Sequence, residues 1–120
     1  MFPLMYLPSF VSIRATDIYR GIIAQRIMWE SNYHLYFGTA SVYQERNFHN
    51  YMKDFELEIP VYLNIKKMAE ILLNLSFNSH DPLINLVKTY ERLRVEKIIP
   101  KEEMNLVKAW TKDCEKLLSQ

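Results

Sequence analysis

The sequence predicts a mainly α protein with a minor β component, and three observations carry that prediction. Apolar residues recur at helical spacing through most of the second half, prolines and capping residues punctuate those stretches, and short aromatic or β-branched alternations occur only before Gly38. With 120 residues, 49% of them hydrophobic and 24% charged, the chain fits one globular domain with a sizeable core. Within it, residues 1–60 carry short strands, a helix and the polar clusters, whereas residues 61–120 form a helical bundle.

Leu4 to Arg14 mixes aromatic and β-branched types, with Val11 and Ile13 alternating against Ser12 and Arg14, and reads as a short strand or extended segment. A helix follows from about Asp17 to Glu30. Thr16 or Asp17 can accept the free N–H groups of its first turn, and Ile18, Ile22, Ile23 and Ile27 mark one stripe. Tyr33 to Phe37 alternates weakly and reads as a second short strand ending at Gly38, after which Thr39 to Asn47 has loop character. A short helix is expected from about Asn47 to Phe55, stopped by Pro60.

Beyond Pro60, with Asn64 as cap, Ile65, Met68, Ala69, Leu72 and Leu73 define the clearest amphipathic helix. Asp81-Pro82 supplies a cap followed by proline at the first helical position, and Leu83, Leu86, Val87 and Tyr90 continue that period to about Val95. Pro100 opens the last helix, with Glu102 and Glu103 in the first turn where the macrodipole favours anions, and Met104, Val107, Cys114 and Leu118 along one side. These stripes, with Trp110, are core packing and not a cofactor box.

Composition excludes several functions. Fifteen Lys and Arg against 14 Asp and Glu leave no one-sided basic surface, so nucleic acid is not an expected partner and any anion site must be local. A single cysteine, Cys114, and three scattered histidines rule out a disulfide framework and zinc-ligand spacing, so no metal site is expected. The apolar opening M-F-P-L-M-Y-L-P lacks a basic flank and is broken by Pro3 and Pro8, so neither signal peptide nor membrane span is expected. The triplet Asn74-Leu75-Ser76 matches a glycosylation sequon but lies at a helix end, where chance occurrence explains it best.

Functional information concentrates in two polar clusters. On the first helix Asp17, Arg20, Gly21 and Ala24 fall at i, i+3, i+4 and i+7, along one face. Gly21 weakens the helix by about 1 kcal/mol relative to alanine, which points to close approach by a backbone or a ligand. Arg20 can hold paired oxygens of a carboxylate or phosphate, while Asp17 can accept sugar hydroxyls or take a proton from one; the plainer alternative is an exposed Asp17–Arg20 ion pair. The second cluster, S-V-Y-Q-E-R-N-F-H-N-Y-M-K-D-F, crowds Gln44, Arg46, Asn47, His49 and Asp54 among Tyr43, Phe48, Tyr51 and Phe55. Hydrogen bonders beside aromatic faces suit carbohydrate or nucleotide recognition. An amphipathic surface helix with its aromatics turned inward accounts for the same pattern.

The runs R-A-T-D-I-Y-R-G-I-I-A-Q-R-I-M-W-E, from Arg14, and Q-E-R-N-F-H-N-Y-M-K-D-F-E-L-E-I-P-V-Y, from Gln44, resemble the STELLO family of glycosyltransferase-like proteins. The likeness covers about residues 3–75 and extends more loosely beyond; Tyr19 stands where the family pattern has tryptophan. The resemblance implies the helical C-terminal part of a GT-A-like glycosyltransferase domain, a Golgi lumenal location, and sugar transfer from a nucleotide sugar to a glycan acceptor in the full-length protein. D-I-Y-R-G is also similar to the D-D-M-W-A-G type of segment in reversibly glycosylated polypeptides, where an acidic residue faces the sugar. On that basis Asp17 is the expected catalytic residue, and Arg14, Arg20, Gln25, Gln44, Arg46, Asn47, His49 and Asp54 are the expected substrate-binding residues. No D-x-D metal motif occurs, so a divalent cation such as manganese is expected only in a full-length homologue, and this chain alone is not expected to turn over a nucleotide sugar. A different class of function fits the same residues: a non-catalytic helical interaction module, with a protein partner, in which the arginines and acids form an internal network.

Overall fold

The computed structural model describes residues 2–45 and 47–120. Among them a 3₁₀ turn (Phe2–Met5) precedes four helices, α1 (Thr16–Glu30), α2 (Tyr51–Leu73), α3 (Pro82–Val95) and α4 (Glu103–Leu118), and there is no strand. The fold of the described residues is therefore all-α. This corrects the expected minor β component, and it removes the GT-A-like assignment, because that architecture is built on a sheet.

Both alternating segments fail as strands for one reason: neither finds a partner for its backbone, and an unpaired strand has no ladder to hold it. Residues 34–45, including most of the second expected strand, are exposed irregular chain. The first becomes a strap laid against α3 and α4. Its carboxylate anchor is Glu103, which is fully buried; Tyr6 donates its hydroxyl to Glu103 Oε1, and the backbone N–H groups of Ser9 and Phe10 donate to the same carboxylate at 3.0 and 2.7 Å. Trp110 Nε1 adds a bond of 2.9 Å to the Pro3 carbonyl. Glu103 was expected only to complement the helix dipole.

Packing centres on α3, which contacts α1, α2, α4 and the 3₁₀ turn. Its Leu86, Tyr90 and Leu93 meet Tyr19, Ile23 and Ile27 of α1, Met68 and Leu72 of α2, and Met104 and Val107 of α4 in one core. The caps explain two boundaries. Asp81 accepts from Leu83 N at 2.8 Å with Pro82 next, as the sequence predicts. α1 and α3 both end in Schellman turns, with Asn32 and Lys97 at φ of 58° and 60° and the bonds Tyr33 N to Met28 O and Ile98 N to Leu93 O, each 2.9 Å. α1 itself starts without a side-chain cap bond, and its buried stripe runs through Tyr19, not the exposed Ile18. Likewise Leu118 is exposed at the end of α4, whereas Met104, Val107 and Cys114 are buried.

The largest departure is α2, which runs straight through Pro60 for 23 residues from an Asn50 cap. Proline removes one N–H and crowds the preceding turn, so a helix continues past it only where the disturbed carbonyls find other donors. Pro60 removes the donor of Glu56 O and crowds the turn before it; Ser12 Oγ donates to Leu57 O in that turn at 2.6 Å, while Asn64 Nδ2 and Tyr19 OH donate to the carbonyl of Pro60 itself at 2.8 and 3.1 Å and hold this stretch of α2 in place. Asn64 is thus a mid-helix bridge and not a cap.

Candidate functional site

The Ser12 bond to Leu57 lays the end of the strap along the first half of α2, which brings Arg14 over that helix. Asp54 and Glu58 stand four residues apart and share one face, whereas Glu56 points elsewhere. Arg14 Nε donates to Glu58 Oε1 at 2.7 Å, and its Nη1 lies 3.4 Å from Asp54 Oδ1. His49 Nδ1 sits 3.1 Å from Asp54 Oδ2, and Tyr62 OH donates to Glu58 Oε2 at 3.3 Å. The hydrogen bond to Glu58 above all, and then the neighbouring charges of Asp54, Glu58 and Asp17, hold the Arg14 guanidinium above even its usual high pKa. Arg14 is a fixed cation in this arrangement.

These groups line an open cleft of about 460 Å³, formed by Arg14, Gln44, Asn47, His49, Asp54 and Glu58 with the rings of Tyr51 and Phe55. Five residues expected from sequence thus come together: Arg14, Gln44, Asn47, His49 and Asp54. Asp17 lies just outside, in a second hollow that shares Arg14 and Glu58 with the first. Its carboxylate is exposed and accepts from the N–H of Ile18 at 3.0 Å. The expected Asp17–Arg20 pair is not formed among the described residues.

Two expected residues lie elsewhere. Arg20 is half-buried on α1 and lines neither hollow. Gln25 borders an apolar groove between α1 and the second half of α2, beside Trp29 and Leu73. Arg46 lies outside the described residues. Gly21 opens onto empty space, with nothing within 4 Å of where a Cβ would stand, so no backbone approaches it.

Arg26 has a structural task. Its guanidinium donates to the carbonyls of Leu72 and Leu75 at 2.9 and 2.7 Å, pairs with Glu30 at 3.2 Å, and stacks 4.6 Å over the Phe77 ring. It closes the C-terminal end of α2, where free carbonyls favour a cation. Glu58 is the charged cleft residue absent from the expected substrate-binding set. Its signal was the i, i+4 spacing from Asp54, hidden by ending the helix before Pro60.

Chemically, the cleft pairs carboxylate acceptors with the amides of Gln44 and Asn47, which both donate and accept, and with two aromatic faces. Among the described residues no three His, Cys, Asp or Glu side chains converge as a metal set. Both cleft carboxylates also face Arg14, so the donor set does not fit a divalent cation. No described helix is long and apolar enough to cross a membrane. The family model described as STELLO glycosyltransferases matches residues 14–119. No match was found among curated proteins or solved structures.

Proposed function

The chain belongs to the STELLO glycosyltransferase family, and on that premise we propose that the Arg14–Asp54–Glu58 cleft is a sugar-facing wall used in glycosyl transfer. The observation that carries this reading is the convergence of Gln44, Asn47, His49, Asp54 and Arg14 beside Tyr51 and Phe55, from segments thirty residues or more apart in the case of Arg14. Sugar hydroxyls both donate and accept, and so do amides set beside carboxylates; the C–H face of a sugar ring packs on an aromatic ring. In this reading the cleft holds the glycan acceptor, and Asp17, across the Arg14–Glu58 pair, takes the proton of the attacking hydroxyl. The nucleotide sugar and any manganese belong to the rest of a full-length enzyme in the Golgi lumen. Calorimetric titration of the chain with neutral oligosaccharides tests the first step. Weak binding that Asp54→Asn and Gln44→Ala each reduce is expected; heats unaffected by both substitutions would overturn the assignment.

One observation favours a second reading, a non-catalytic interaction module. Arg14 and Arg26 are engaged with partners inside the chain, as an internal network tying the strap and α1 to α2 requires. The two readings separate at Arg14→Ala. A sugar wall loses binding with little loss of stability, whereas an internal network loses stability and has no sugar affinity to lose.

A further inference from the structure

The half of α2 that carries the cleft is not fixed by the core. None of residues 51–60 is buried, and the buried residues of that helix begin at Val61. Asp54 and Glu58 therefore depend on what the N-terminal strap brings to them. Arg14 pairs with both, yet its side chain is 35% exposed, and an ion pair so wetted holds a long, flexible side chain only weakly. The backbone that carries Arg14 has to be fixed by other groups.

One of them is Ala15, fully buried at the start of α1. On the other side Ile13 is exposed, and the nearest fixed residue is Ser12. Ser12 is bonded twice. Its carbonyl accepts from Ala15 N at 2.8 Å and closes a turn, Ser12–Ala15, that carries Arg14 in its third position; serine is favoured as the first residue of such a turn. Its hydroxyl donates to Leu57 O at 2.6 Å, in the turn of α2 that Pro60 crowds. Leu57 lies between Asp54 and Glu58 in the chain, so the strap is clamped to α2 beside the two carboxylates that Arg14 reaches. Phe10 is held by Glu103 and Tyr19 by Pro60 O; among the described residues between them, the hydrogen bonds across to α2 are those of Ser12 and of Arg14 itself.

We infer that Ser12 is a positioning residue of the cleft: its hydroxyl ties the Ser12–Ala15 turn to α2 and thereby holds the Arg14 guanidinium between Asp54 and Glu58. Ser12 does not line the cleft and acts through Arg14. Its effect on binding rests on the sugar-wall reading, whereas its effect on Arg14 does not.

Arginine-side-chain NMR of the labelled chain, joined to calorimetric titration with a neutral oligosaccharide, tests it. In the wild-type chain the Arg14 Nε–H is expected to be resolved and slow to exchange. Ser12→Ala is expected to keep the helical circular dichroism, to speed exchange of that proton about tenfold and to weaken oligosaccharide binding by a similar factor, the worth of one hydrogen bond. Ser12→Thr, which keeps the hydroxyl, is expected to restore both. A serine with a purely structural role would lower thermal stability and leave the Arg14 signal of the folded chain in place, so an Arg14 Nε–H unmoved by Ser12→Ala overturns the inference. Ser12→Thr behaving like Ser12→Ala overturns it as well. If the wild-type chain binds no oligosaccharide, the sugar-wall reading fails, and the Arg14 signal in the two variants still decides the inference.

Discussion

α2 and α3 use their apolar residues in opposite ways. Of the 14 residues of α3 six are buried, whereas the 23 residues of α2 bury only three. α3 is enclosed by α1, α4 and the N-terminal strap, so its sequence is accounted for by packing within the chain. The first half of α2 stands clear of the core and carries the cleft on one flank and exposed apolar residues on another. Residues that stability does not require there are available for partners, and that is where function is to be sought.

The contrast predicts a wide gap between two leucine substitutions. Leu93→Ala, at a fully buried site on α3, is expected to lower unfolding free energy by about 2–5 kcal/mol, and Leu63→Ala on α2 to change it by less than about 0.5 kcal/mol. Urea denaturation of the two variants measures the gap directly. Equal losses would erase the distinction between the helices.

Glu103→Ala is expected to cost about 3 kcal/mol, since it leaves the Tyr6 hydroxyl and two backbone N–H groups without their shared acceptor. Hydrogen exchange at Ser9 and Phe10 is expected to accelerate together, with the middle of α3 still protected. The same region governs behaviour in alkali. Burial, and for Tyr6 and Tyr90 the Glu103 carboxylate as well, keeps Tyr6, Tyr19 and Tyr90 protonated above the pH near 10 at which they ionise in the unfolded chain. Folding stability is thus undiminished by these groups below about pH 10 and falls as pH rises beyond it, in thermal melts between pH 9 and 12. Gly21→Ala, on an open helix surface, is expected to raise stability by about 0.5–1 kcal/mol. A loss instead would mean that something approaches that position.

Sequence made the core side of this contrast legible. The Asp81-Pro82 cap, the period through Leu86 and Tyr90, and the glutamates after Pro100 located α3 and α4 because those signals are local. What was not legible depended on distant partners. Pro60 favours a helix stop in isolation, whereas in the fold Ser12 bonds the turn before it and Tyr19 and Asn64 bond its own carbonyl as α2 continues. The strap alternates like a strand, yet a buried carboxylate some 94 residues away fixes its path. At the site, Gln44, Asn47, His49 and Asp54 were legible as one polar cluster and Arg14 as an expected binding residue apart from it; that the two meet, and that Glu58 joins them, followed only from the true extent of α2. Arg20 shares a helix face with Asp17 and Gln25 shares its motif, but neither shares its surroundings.

The central claim is that the flank of α2 outside the core binds sugar. Amide and arginine-side-chain NMR spectra of the labelled chain, recorded during titration with a neutral oligosaccharide, locate any contact. Saturable shifts confined to Arg14 Nε and residues 44–58, with α3 and α4 unmoved and the response abolished in Arg14→Ala, are the predicted result. Shifts absent from that cleft, or unchanged in Arg14→Ala, would contradict it.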